Sequence, residues 1–197
     1  MAEARLIALY SPAPQQGKSE AAKILLDKGF VVVKFADTLK MMTGQFLLKA
    51  GVAKADLWAY VEGSKKEVQI PGLPKGITGR RLQRTLGVEW GRKAVHGDIW
   101  VLLAMLQAEA HLKAGRSVVI DDLRFPNEYA AVLRAGGEAW RVVRNKRQAF
   151  KSDGHSEALL EREFFDMRLA NDGTLGDLKR GISSVLEIGP IIGQRRL

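Results

Sequence analysis

Short runs of consecutive apolar residues alternate along the chain with longer stretches in which apolar positions return every three or four residues. Leu6–Tyr10 is a run of strand length, and Gly17–Lys28 follows it with Ala21, Ala22, Ile24, Leu25 and Leu26 on a helical spacing. Gly29 ends that helix, and Val31-Val32-Val33-Lys34-Phe35 reads as a second buried strand. Over Asp37–Leu48, Leu39, Met42, Phe46 and Leu47 fall roughly on one face, which predicts a helix with that face in the core. Residues 51–79 are the least regular. Leu57-Trp58 and Tyr60-Val61 make a short amphipathic piece ahead of Lys65-Lys66 and a turn-rich stretch from Pro71 to Gly76, so the segment reads as an insertion or mobile flap. Helices are expected over Arg80–Leu86 and Asp98–Lys113, the second with Asp98 as N-cap and Gly115 just beyond its end.

Val118-Val119-Ile120 is an apolar strand running into Asp121-Asp122, and Pro126 opens a helix through Arg134. Ala139–Val143 reads as another strand, Asn145–Glu163 is polar, and Phe165–Ala170 reads as the last strand. After the Asn171-Asp172-Gly173 turn, Thr174 caps a helix over Leu175–Leu186. Buried strands alternating with helices predict a three-layer α/β fold around a parallel sheet of about five strands. Ligands then belong at the carboxyl ends of the strands.

Composition narrows the class. A chain of 197 residues, 46% hydrophobic and 27% charged, makes one ordinary globular domain, with room for a small lid. With no cysteine there is no disulfide, thiolate metal site or cysteine nucleophile. The first apolar run is too short for a signal peptide, and none approaches a membrane span, so a cytoplasmic location is expected. The net charge of +9 calls for anions. Nucleic acid is one candidate, and a site holding several phosphates is the other. Arg80-Arg81, Arg84, Arg92-Lys93, Arg124, Arg134, Arg141 and Arg144 form no single tract, and many fall at element ends, which suits a phosphate pocket better than a polybasic tail.

The candidate chemistry begins at Gln15-Gln16-Gly17-Lys18-Ser19, between the first strand and the first helix. Strand, tight loop ending Gly-Lys-Ser, then helix is the layout of a phosphate-binding P-loop. Its backbone N–H groups surround phosphates, the Lys neutralises charge, and the Ser hydroxyl can hold Mg²⁺. The position where the usual pattern has its first Gly is Pro12, which has a fixed φ and no N–H, so the first half of the loop must be shaped differently. Asp121 and Asp122 stand at a strand's carboxyl end, where a carboxylate holds Mg²⁺ or positions an acceptor; the residues alone leave open which does so. Arg124, two residues on, suits bidentate capture of an acceptor phosphate. Trp100 belongs to the core and Trp90 could border a base pocket. His155-Ser156 has no nucleophile elbow around it, and His96 and His111 lack metal-ligand spacing.

These residues together resemble the bacteriophage deoxynucleoside monophosphate kinases. The resemblance runs through most of the chain: the Gly-Lys-Ser loop, Phe35-Ala36-Asp37 with Lys40, the segment from Arg81 to Arg92, and Asp98-Ile99-Trp100-Val101. It continues through Asp122-Leu123-Arg124-Phe125-Pro126-Asn127-Glu128, the strand ending at Arg144, His155-Ser156-Glu157, and Asn171 to Leu175. Pro12 and the form of the Gly51–Gly79 region depart from the family. The resemblance implies transfer of the γ-phosphoryl of ATP to a deoxynucleoside monophosphate, on a P-loop NTPase fold with an acceptor-binding region at about 37–97 and a lid at about 145–163. It implies that Gln15, Gln16, Gly17, Lys18, Ser19 and Glu20 bind ATP phosphates, with Ser19 and Asp122 on Mg²⁺. Asp37, Lys40, Gln83, Trp90, Arg92, Arg124 and Glu128 would face the acceptor. Lys18, Asp122, Arg124 and Arg144 would serve the transfer, and Arg144 and Arg147, flanking the lid, would contact the adenine or the transferring phosphoryl of ATP. Asn171, Gly173 and Thr174 would lie near the adenine. Related kinases often pair, so a homodimer is allowed, and stable nucleic-acid binding is not expected. The alternatives are another small-molecule P-loop kinase resembling dephospho-coenzyme A kinase, a DNA-binding P-loop ATPase, and a non-catalytic nucleotide-binding module.

Overall fold

A computed structural model describes residues 3–144 and 159–189. Five strands, β1 (Leu6–Tyr10), β2 (Val31–Val33), β3 (Val118–Ile120), β4 (Glu138–Val143) and β5 (Met167–Ala170), form one parallel sheet in the order β2-β3-β1-β4-β5. A parallel sheet needs cover on both faces, which is why its strands read as continuous apolar runs. Every residue of β1 and of β3 is buried.

Alternation along the strands divides the core in two. Ile7, Leu9, Val119, Trp140 and Val142 pack with Ile24 and Leu25 of α1 (Lys18–Asp27) and with Leu178, Ile182 and Val185 of α7 (Leu175–Ile188). On the opposite face, Leu6 approaches Val132 of α6 (Pro126–Arg134) so closely that a side-chain carbon on Gly137 would lie 2.8 Å from Leu6 and 2.9 Å from Val132. The crossovers β1-to-β2 and β3-to-β4 run in opposite directions across the sheet, so their right-handedness puts α1 and α6 on opposite faces. The chain is therefore the three-layer parallel α/β protein that its apolar pattern predicts.

Two compact units make up the chain: Met1–Phe35 with Met105–Leu197, which holds the whole sheet, and Ala36–Ala104. The boundary falls within α5 (Ile99–Lys113). The second unit contains α2 (Asp37–Lys49), α3 (Leu57–Val61) and α4 (Gly79–Arg84), and the expected acceptor-binding region at about 37–97 falls inside it. Its core is Leu47, Val52, Tyr60, Val61 and Ile70, with Leu57, Leu73, Ile77 and Leu82 against it. Residues 51–79 are thus a folded part of this unit, not a bare flap. The Gln69 side chain organises their turn: Nε2 donates to the carbonyls of Ile70, Leu73 and Pro74, and Oε1 accepts the Gly76 N–H at 2.6 Å.

Other elements also differ from expectation. On α2 the buried positions are Thr43, Gly44 and Leu47, whereas Phe46 is 48% exposed, so the expected apolar face is only partly core. The helix expected over Arg80–Leu86 ends as α-helix at Arg84 and continues as a π-helix over Thr85–Val95. Trp100 explains part of this. Its Nε1 donates to the Gly87 carbonyl at 2.9 Å, and its ring fills the space where Gly91 would carry a side chain. Strand β2 stops at Val33 because the Phe35 N–H turns to the Asp122 carboxylate at 3.0 Å. Most of the expected lid at 145–163 lies outside the described residues, as do Arg147, His155 and Ser156. Among the described residues no helix is long and apolar enough to cross a membrane.

Candidate functional site

Strand β1 lies in the middle of the sheet, and the loop at its carboxyl end leads straight into α1. The loop folds on itself without the usual first glycine. The Ser11 hydroxyl donates to the Ala13 carbonyl at 2.9 Å, tightening the chain around Pro12. Two residues then take left-handed backbone angles, Gln15 at φ 59° and Gly17 at φ 104°. At Gly17 the conformation needs glycine twice over, since any Cβ would also overlap the Asn171 side-chain amide. Helix α1 starts at Lys18 with no side-chain cap on its N-terminus, which leaves the helix dipole and first amides to an anion.

The loop encloses a cavity of about 390 Å³. Gln15, Gln16, Gly17, Lys18, Ser19 and Glu20 line it, with Ser11, Ala13 and Pro14 on the loop side and Arg124 and Arg144 beyond. Glu20 also pairs with Lys23 at 2.9 Å. Arg144 stands at the carboxyl end of β4 and Arg124 shortly after β3, so two different strands deliver cations to one place. The backbone before α6 is braced from below: Glu128, only 3% exposed, accepts the N–H groups of Arg124 (2.8 Å) and Phe125 (3.0 Å) on one carboxylate oxygen. The Arg124 guanidinium itself makes no hydrogen bond or ion pair among the described residues.

The two adjacent aspartates have different surroundings. Asp122 holds the Phe35 N–H, tying the end of β2 to the end of β3. Asp121 pairs with Lys34 at 3.3 Å through one oxygen, while its other oxygen is buried without a hydrogen-bond partner. Neither lines the cavity. Asn171 is 5% exposed and donates its side-chain N–H to the Gln16 carbonyl at 3.0 Å. Thr174 caps α7 by accepting the Asp177 N–H at 3.2 Å, with Gly173 packed over the Asp177 carboxylate.

The remaining expected contacts, Asp37, Lys40, Gln83, Trp90 and Arg92, all belong to the second unit. Asp37 is the first residue of α2, and Lys40 pairs with Glu62. Gln83 is buried and donates to the Val61 carbonyl at 2.7 Å, so its amide is engaged in the unit's own packing. Nearby, half-burial and the positive charges of Arg80 and Lys40 push the Lys66 ammonium below its ordinary value of 10.5. Trp90, 44% exposed, borders a second cavity of about 390 Å³ with Met42, Thr43, Phe46, Leu82, Thr85 and Leu86. Sequence reasoning counted Met42 and Phe46 as core, because a single helical stripe does not distinguish a core face from a cavity wall.

Among the described residues no three His, Cys, Asp or Glu side chains converge on a metal site.

Fold and site together define a parallel α/β protein with a glycine-lysine-serine loop cradling a basic cavity. No family model matches the chain, and no curated protein matches it. Solved structures similar to it include TT1252 from Thermus thermophilus, at 19% identity and TM-score 0.49, covering 95% of this chain and 98% of that one. The Mycobacterium tuberculosis APS kinase CysC in complex with AMPPNP and APS is similar at 12% identity and TM-score 0.48, covering 95% and 99%. Dephospho-CoA kinase from Campylobacter jejuni is similar at 12% identity and TM-score 0.46, covering 95% and 98%.

Proposed function

We propose that this chain is an ATP-dependent kinase that transfers the γ-phosphoryl of ATP to a deoxynucleoside monophosphate, giving the diphosphate and ADP. The observation that carries the proposal is one cavity shared by the Gly17-Lys18-Ser19 loop and two arginines, Arg124 and Arg144, from separate strands. A single bound phosphate would not need so many cations. Phosphoryl transfer does, because charge spreads over the equatorial oxygens while the protein supplies mainly position and neutralisation.

In this proposal the loop amides and Lys18 hold the donor's phosphates, and Ser19 holds Mg²⁺, which supplies charge neutralisation between them. Arg124, its backbone fixed by Glu128, receives the acceptor phosphate. Arg144, at the carboxyl end of β4, contacts the transferring group. Asp122 secures the β2 end, after which the chain enters the acceptor-binding unit. The apolar cavity beside Trp90 and Phe46 matches the flat, weakly polar surface of a nucleobase. The deoxynucleotide acceptor is what the resemblance of the segments from Arg81 to Arg92 and from Asp122 to Glu128 to the bacteriophage kinases implies.

The test is ADP release from ATP and Mg²⁺ in the presence of dAMP, dGMP, dCMP, dTMP, the ribonucleotides or dephospho-coenzyme A. Rapid turnover with a deoxynucleotide supports the proposal. Turnover confined to dephospho-coenzyme A would replace the acceptor, and hydrolysis stimulated only by DNA would overturn the kinase.

A further inference from the structure

The loop that lines the phosphate cavity does not hold its shape by itself. Gln15 is a non-glycine residue at φ 59°, a conformation that persists only where the surroundings enforce it. The next residue, Gln16, is held by a closed ring of hydrogen bonds to the carboxyl ends of β4 and β5. The Asn171 side-chain amide donates to the Gln16 carbonyl at 3.0 Å. The Gln16 side chain in turn accepts the Arg144 N–H at 2.5 Å, and Arg144 Nε donates to the Asn171 carbonyl at 2.9 Å. The Asn171 N–H closes the ring on the Val143 carbonyl at 2.7 Å.

Chemistry fixes the sense of the central bond. A backbone carbonyl only accepts, so the amide nitrogen of Asn171 must face it. Pulling the Gln16 carbonyl outward turns the Gly17 N–H of the same peptide plane the other way, the arrangement a phosphate nest uses. The same residue closes over Gly17, whose missing Cβ leaves the room that the amide fills. Arg144, which lines the cavity, is held by the same ring through its Nε.

We propose that Asn171 is a positioning residue that clamps the phosphate loop and aligns Arg144, acting on the phosphates of the donor and not on its base. The proposal rests on the donor site described above. It also separates Asn171 from an adenine contact, because a clamp affects every ligand that carries the phosphate chain.

The experiment measures binding of ATP, GTP and inorganic tripolyphosphate to the full chain by calorimetry. Asn171→Ala and Asn171→Ser are compared with the parent, and circular dichroism reports which variants are folded. The clamp predicts that ATP and tripolyphosphate weaken by the same factor, about five- to tenfold for one lost hydrogen bond, with the ATP-to-GTP ratio unchanged. Serine, too short to reach the Gln16 carbonyl, should behave as alanine does. Loss of ATP affinity with tripolyphosphate unchanged would make Asn171 a base contact and overturn the clamp, as would unchanged binding of both. A parent chain that binds neither ATP nor tripolyphosphate would instead overturn the donor site itself.

Discussion

At the scale of single residues, the proposed site depends on the cations gathered around its cavity. Lys18 is the first residue of α1 and lines the phosphate cavity. Lys18→Ala is expected to lower kcat by about two to three orders of magnitude, the effect of removing one fixed electrostatic contact to a transition state. The circular dichroism spectrum should not change, and unchanged turnover would remove Lys18 from the mechanism. A different residue-scale effect sits under the sheet. Arg5 and Glu138 form a bidentate pair at 2.7–2.9 Å, with side chains 10% and 3% exposed, and Glu138 also accepts the Trp140 indole N–H at 3.1 Å. Glu138→Ala strands the Arg5 guanidinium and is expected to cost about 3–5 kcal/mol in a denaturant titration. Glu138 is the first residue of β4, ahead of its apolar positions, and its partner is 133 residues away, so no local pattern points to it.

Elements bring their own consequences. Helix α7 begins with a reciprocal cap, Thr174 accepting the Asp177 N–H while the Asp177 carboxylate accepts the Thr174 N–H and hydroxyl at 2.7 Å. Those bonds hold the Asp177 carboxyl below its ordinary value of 3.8. The folded value is depressed, so the contribution is complete above the ordinary value and disappears as pH falls through the folded one. Asp177→Asn should therefore lower the melting temperature at neutral pH and flatten its decline at acid pH. Equal losses at pH 7 and at acid pH would show that the carboxylate charge plays no part. The π-helix of Thr85–Val95 makes a sharper demand. Gly91→Ala drives a methyl into the Trp100 ring, 2.7 Å from Cε2, and should cost about 1–3 kcal/mol with a change in tryptophan fluorescence. A neutral Gly91→Ala would mean that the ring gives way easily. The apolar spacing revealed the helix ahead of this segment. It did not reveal the change of pitch, part of which follows from Trp100 of α5 packing against Gly87 and Gly91, a contact that the spacing of the segment does not show.

For the whole molecule, the question is what the net charge of +9 serves. Much of the positive charge is accounted for locally: Arg80 pairs with Glu67, Lys93 with Glu89, Lys113 with Glu109 and Arg180 with Asp177. Arg124 and Arg144 instead line the cavity at the Gly17-Lys18-Ser19 loop. Duplex DNA at about 0.15 M salt, where screening acts within roughly 8 Å, should leave ATP turnover unchanged. Stimulation would move the basic surface to the centre of the function.

The sequence by itself determined the layers of the fold and the start of the site. Both are written in local periodicity: continuous apolar strands that need cover on both faces, helices between them, and a Gly-Lys-Ser loop at the first junction. Tertiary structure alone decided what holds that loop and what stands across from it. Asn171 reaches Gln16 across 155 residues, Glu128 serves as a backbone brace and Asp122 as a tie to β2. Residues 51–79 acquire a core only when Val52, Tyr60, Val61 and Ile70 meet Leu47. Such contacts join single residues far apart in the chain, so they leave no periodic trace, and only the folded backbone brings them within hydrogen-bonding or packing distance.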